Sequence, residues 1–163
     1  MSERKHLPLY GPGPAFMVFS VVLSVSCILL SWLEALSFGR LEVLRTPLTI
    51  VGILALVFGW YLNYSAKKKS RLFEMVAENR LITTGVYGIV RNPVYSAMLL
   101  MNFGIVCLLD NLVLFASPLL CWGFETVVLK RTEEQWLAEL YGEEYRAYCE
   151  RVNRLIPWFP KGQ

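Results

Sequence analysis

The sequence predicts an all-α integral membrane protein, with about four transmembrane helices followed by amphipathic C-terminal helices. Three observations carry that expectation. Of 163 residues, 55% are hydrophobic and 18% charged, a balance too apolar for a chain solvated mainly by water. The apolar residues gather into uncharged runs of the length that crosses a bilayer, roughly 20 residues for about 30 Å of hydrocarbon. The basic residues are distributed very unequally between the two sides of those runs.

A single membrane-embedded domain over residues 1–163 is expected, with spans at about 14–35, 47–66, 93–109 and 111–129. The first run, AFMVFSVVLSVSCILLSWL, is long enough to span. It lacks a small-residue cleavage site after a short core, so it reads as a retained helix rather than a removed signal. The second opens with Pro47, tolerated in a first helical turn because that N–H has no partner anyway. Runs three and four are parted only by Asp110 and its neighbour, which forces an antiparallel hairpin. Beyond them, cytoplasmic helices are expected over 131–152. Trp136, Leu137, Leu140 and Tyr141 form one apolar stripe there, Gly142 caps or kinks the helix, and Trp158 and Phe159 are interfacial anchors.

Orientation follows from charge. Arg40 and Arg45 fall on one side and the other fourteen of the sixteen Lys and Arg residues on the other: Arg4 and Lys5, the Lys67–Arg91 segment, and the tail from Lys130. Both termini are therefore expected in the cytoplasm, which requires an even number of spans.

Composition also excludes chemistry. His6 is the lone histidine, and Cys27, Cys107, Cys121 and Cys149 form no C-x-x-C pair. No metal site, disulfide framework, or Ser-His or Cys-His nucleophile is expected. No nucleic-acid partner is expected either. Membrane lipids and a lipophilic or lipidated acceptor are.

The hairpin brings RNPVY (Arg91–Tyr95) and KRTEE (Lys130–Glu134) to one depth on adjacent helices, with axes about 8–10 Å apart. Singly, each residue has a local explanation. Asn92-Pro93 is an ordinary helix start with an Asn cap. Arg91 and Tyr95 suit a membrane interface. Glu133 and Glu134 make an acidic first turn, with Glu134 facing Lys130 at i−4. Glu125 differs: an ionisable group inside an apolar run faces the bundle interior or reaches water near the interface. Together, the two clusters fit a polar ligand on the cytoplasmic side and a lipid-soluble substrate on the other.

These residues resemble a family. LITTGVYGIVRNPVY, followed some forty residues later by RTEEQWLAELYGEEYRAYCERVNRLIP, is similar to the isoprenylcysteine carboxyl methyltransferase and phospholipid methyltransferase superfamily of integral membrane enzymes. Its pattern has T-[TS]-G-x-Y-x-x-x-R-H-P-x-Y and then E-E-x-x-L-x-x-x-[FY]-G-x-x-Y-x-x-Y-x-x-R-[VI]. Thr84, Gly85, Tyr87, Arg91, Pro93, Tyr95, Glu133, Glu134, Leu137, Tyr141, Gly142, Tyr145, Tyr148, Arg151 and Val152 match it. The resemblance implies methyl transfer from S-adenosylmethionine. It puts the cofactor against Asn79, Arg80, Leu81 and Ile82, against Tyr87, against Asn92, Pro93, Val94 and Tyr95, and against Glu133 with Glu134. Arg91 and Arg131 are then the cations assigned to the reaction. Two positions depart from the pattern: Asn92 replaces its His and cannot titrate, and Leu129 stands where many members carry an acceptor-contacting Arg. The acceptor thus stays open among carboxylate, amine and thiol.

Two other readings compete. Steroid and sterol reductases share a related motif and use NADPH, but that motif runs R-H-P-N-Y, whereas Val94 and Ser96 occur here. A non-enzymatic four-helix scaffold or transporter subunit would repeat polar residues at mid-membrane. Spans one and two offer only Ser, Thr and Asn63.

Overall fold

A computed structural model describes residues 11–70, 74–75, 78 and 80–157, and every statement below concerns those residues. Arg4, Lys5, His6, Asn79, Trp158 and Phe159 lie outside them. Six α-helices follow in order: α1 (Gly13–Ser31), α2 (Arg45–Tyr64), α3 (Pro93–Leu108), α4 (Ala116–Arg131), α5 (Glu133–Tyr141) and α6 (Glu143–Arg151). Three stretches are long and apolar enough to cross a membrane: Gly13–Ser31, Glu42–Lys69 and Leu112–Tyr141. The shorter apolar helix α3 has 16 residues, about 24 Å at 1.5 Å per residue.

Its position explains its composition. α3 packs on α2, α1 and α4, so most of its surface meets protein rather than lipid. The outward faces of α1 and α2 instead expose Met17, Val18, Val21, Val22, Ile53, Leu54, Val57 and Trp60. That inversion, large apolar groups outside and small or polar ones inside, is what a lipid solvent permits. The protein is an all-α membrane protein.

α2 and α3 approach closely because glycines face each other. A Cβ on Gly52 would stand 2.9 Å from the Gly104 carbonyl oxygen, and one on Gly104 the same distance from that of Gly52. Backbone atoms cannot swing aside, so Gly104→Val is expected to destabilise the protein by about 1–3 kcal/mol. A lowered thermal unfolding midpoint in detergent checks this.

Polar side chains tie α1, α3 and α4 across the bundle. Asn102 Nδ2 donates to Ser24 Oγ at 3.0 Å, and Ser117 Oγ donates to Asn102 Oδ1 at 3.1 Å. At the far end of the bundle, Asp110 turns the α3–α4 hairpin with φ 42°. Its carbonyl accepts from Leu41 N at 2.7 Å, and its carboxylate lies 3.5 Å from Arg45. The expected boundaries shift modestly. The first helix stops at Ser31 before a 3₁₀ segment, Glu34–Gly39. The second continues through a π-helical turn, Ser65–Lys69, carrying three lysines. The C-terminal helix splits at Gly142, whose φ of 53° glycine adopts at little cost.

Candidate active site

The near end of the bundle collects the N-termini of α1 and α3 and the junction of α4 with α5. α4 ends at Arg131, and the next residue, Thr132, has a φ of −130° and ψ of −91° that break the helix and let α5 restart at Glu133. This turn aims Glu133 back at α3: Tyr95 Oη donates to Glu133 Oε1 at 2.6 Å. The start of α1 closes over the same carboxylate, with Gly11 close enough that a Cβ there would sit 2.8 Å from Oε1.

Glu134 points to the other side and is saturated. Arg154 grips it with two bonds, Nε to Oε1 at 2.6 Å and Nη2 to Oε2 at 2.8 Å, and Arg91 Nη2 adds a third to Oε1 at 3.0 Å. Arg91 also contacts Cys149 Sγ and lies over the Tyr145 ring at 5.8 Å. The expected Glu134–Lys130 pairing is replaced, because two arginines from distant sequence reach Glu134 in a half-buried setting where a charge pair is screened less.

The chain after α6 runs along the start of α3. Arg91 N donates to Asn153 O at 2.8 Å, Asn92 N to Arg154 O at 3.1 Å, and Ser96 Oγ to Leu155 O at 2.5 Å. Asn92 consequently does not cap α3 with its side chain as expected: Nδ2 donates to Arg154 O at 3.2 Å. Pro93 does occupy the first helical position. Tyr148 Oη donates to Tyr87 O at 2.5 Å, fastening the 3₁₀ turn Gly85–Gly88. Tyr87 is buried with Leu62, Ala66, Val86 and Ala97, and Ile82 and Val94 pack against that cluster.

The structure therefore brings together Ile82, Tyr87, Asn92, Pro93, Val94, Tyr95, Glu133 and Glu134, with Arg91 as a clamp on Glu134. Leu81 is half-buried beside them in sequence. Arg80 is exposed and pairs with Glu78 at 3.6 Å, and Arg131 is exposed at the end of α4. Sequence reasoning missed Arg154; the pattern residue Arg151 instead bonds its own helix at Ala147 O.

Electrostatics separate the two glutamates. Burial pushes the Glu133 carboxyl up to about 7, against the pull of the Tyr95 hydrogen bond and with a further push from Glu134. Among the described residues no cation pairs with Glu133, whereas Glu134 has two. Burial, then the neighbouring Tyr148 and Glu133, raise the Tyr87 hydroxyl as well, keeping it a neutral donor.

These features define a class by architecture: a membrane-embedded helical bundle with tyrosines and, among the described residues, a carboxyl without a cation at one end. The family model for phospholipid methyltransferase matches residues 47–144, from α2 through α5. The chain belongs to that family. It is 34% identical to methanethiol S-methyltransferase 1 of Bradyrhizobium diazoefficiens over 48% of this chain and 27% of that protein. It is 28% identical to the protein-S-isoprenylcysteine O-methyltransferase of Schizosaccharomyces pombe over 91% of this chain and 69% of that protein. For the Homo sapiens protein of that name the figures are 33%, 72% and 43%. The chain thus spans well under half the length of several curated relatives. No solved structure matches it significantly.

Proposed function

We propose that the protein transfers a methyl group from S-adenosylmethionine to a lipophilic acceptor at the cytoplasmic face of a membrane. One observation carries the reading: Glu133 is a half-buried carboxyl with a hydrogen-bonded tyrosine and no cation beside it among the described residues. A ligand that brings positive charge supplies what the site lacks. S-adenosylmethionine fits on three counts. Its ammonium and sulfonium suit Glu133. Its carboxylate suits the first turn of α3, where backbone N–H groups lack helical partners. Its adenine suits the apolar surface of Ile82, Tyr87 and Val94.

S-adenosylmethionine supplies a methyl carbon already activated by a sulfonium leaving group. The protein's share is then mainly orientation, which is worth several kcal/mol for well-aligned reactants. Tyr95 fixes the Glu133 rotamer, the Arg91–Glu134–Arg154 clamp holds α5 against α3, and the 153–155 segment keeps water from the α3 start. The near end, with Lys67, Lys68, Lys69, Arg80, Lys130 and Arg131, faces the cytoplasm in this reading by the positive-inside rule.

Calorimetry on detergent-purified protein tests it. S-adenosylhomocysteine is expected to bind and NADPH not to, with binding lost in Glu133→Ala. Binding of NADPH instead would overturn the assignment in favour of a reductase.

A further inference from the structure

Glu125 is unused by the site just described. Across Gly13–Ser31, Pro47–Tyr64, Pro93–Leu108 and Ala116–Leu129 it is the one Asp, Glu, Lys or Arg. It is also fully buried, at 0% exposure. Its Oε1 receives only a long contact from Cys121 Sγ at 3.7 Å, and its Oε2 has no partner. The other polar groups of the α1–α3–α4 seam are satisfied: Asn102 by Ser24 and Ser117, Ser20 by Met98 O at 3.5 Å, and Ser24 by Ser20 O at 2.8 Å. Ser65 Oγ and Arg91 Nε are the other buried side-chain atoms without a partner among the described residues, and neither lies on α1, α3 or α4. An unpaired carboxyl oxygen inside an apolar bundle is costly and marks a candidate functional group.

Its location says for what. Glu125, Leu129 and Glu133 follow at four-residue steps, with Leu129 fully buried against Tyr95 and Phe16. Tyr95 is hydrogen-bonded to Glu133 and within electrostatic reach of Glu125. Glu125 lies about two helical turns further into the apolar α4 than Glu133. A donor held at Glu133 and an acceptor arriving from lipid would meet around Tyr95, with Glu125 the polar group on the acceptor's side. On the α1 side, Phe16 packs against Tyr95, and Ser20 lies beside Cys121, the residue that contacts Glu125.

Resting on the methyl-transfer reading, we infer that Glu125 is the proton acceptor for the methyl acceptor, which is therefore a thiol or amine bearing a lipophilic chain rather than a carboxylate. A carboxylate acceptor has no proton to give up, so Glu125 would have no part in its methylation. A thiol or amine X–H has a proton to lose. As the X–C bond forms, the sulfonium S–CH₃ bond breaks with its electron pair left on sulfur, and Glu125 Oε2 takes the proton from X. Carboxylate and sulfonium charges are extinguished together, which a low-dielectric setting favours.

The test uses full-length protein in detergent with dodecanethiol, dodecylamine and N-acetyl-S-farnesylcysteine as acceptors. Dodecanethiol or dodecylamine is expected to be methylated and the farnesylcysteine carboxylate not. Glu125→Gln should lower kcat by about 100-fold or more, remove the acid limb of the kcat–pH profile, and leave S-adenosylhomocysteine affinity within about twofold of wild type. Glu125→Asp should recover part of the rate, which a packing defect would not. Adding dodecanethiol to the S-adenosylhomocysteine complex should change a carboxyl infrared band that Glu125→Gln lacks. Methylation of the carboxylate, full activity of Glu125→Gln, or no methylation of either X–H probe while S-adenosylhomocysteine still binds overturns this inference alone. Absence of S-adenosylhomocysteine binding in the wild type sinks the methyl-transfer reading and this one with it.

Discussion

Glu134→Leu is expected to lower the thermal unfolding midpoint by roughly 10 °C, corresponding to about 3 kcal/mol. The reason is burial rather than distance. The Glu134–Arg154 and Glu143–Arg146 contacts are both 2.6 Å. Yet the Glu134 and Arg154 side chains are 15% and 22% exposed, and Arg91, the third member, 9%, while those of Glu143 and Arg146 are 84% and 70% exposed. An exposed pair contributes about 0–1 kcal/mol, so Glu143→Ala should change the midpoint little. Removing Glu134 strands two guanidinium groups away from water, and that desolvation is the larger part of the loss. The triple variant Glu134→Leu, Arg91→Leu, Arg154→Leu should regain part of the stability, because no orphan charge is left. If Glu134→Leu and Glu143→Ala shift the midpoint equally, the clamp is not what joins α5 to α3.

Glu133→Gln is expected to cut S-adenosylhomocysteine affinity by roughly 10- to 100-fold, the worth of a charge-assisted bond at about 1.5–3 kcal/mol. Glutamine still accepts from Tyr95, so the fold should be kept and the charge alone lost. The pH dependence gives a second readout. With its carboxyl raised from 4.5 to about 7, ligand-free Glu133 gains its charge only as pH passes neutrality. Affinity for S-adenosylhomocysteine, through its ammonium, should therefore rise from pH 6 to 8 in the wild type and stay flat in Glu133→Gln. Below neutrality, binding should release a proton, seen as a buffer-dependent heat in calorimetry. The folding equilibrium has the opposite sign. Between pH 4.5 and about 7 the folded state binds more protons at this group than the unfolded chain, so Glu133 costs the ligand-free protein stability as pH rises. A wild-type affinity independent of pH would remove Glu133 from the cation site.

What the chain determined alone was its solvent and its spacing. Uncharged apolar runs, Pro93 at a helix start and Asp110 at the hairpin turn are local signals; the structure follows them, except that the expected two-residue turn widens to residues 109–115 with a 3₁₀ segment at Leu112–Phe115. The hairpin geometry followed as well, since two short antiparallel helices joined by a short connection leave the Asn92-Pro93 start and the Glu133-Glu134 pair no other place to be. Glu125 stood out for the same reason: a carboxyl among apolar neighbours is conspicuous in any fold.

Partner choice was decided only in three dimensions. Lys130 is the i−4 neighbour of Glu134, yet Arg91 and Arg154, 43 and 20 residues away, take it. Asn92 would cap its own helix by propensity, but the backbone of Arg154 arrives first. Asn102, unremarkable in sequence, bridges α1 and α4 through Ser24 and Ser117. Local sequence encodes backbone propensity and burial pattern, both short-ranged. The identity of a hydrogen-bond partner depends on which distant groups packing leaves within about 3 Å, and no periodicity along the chain records that.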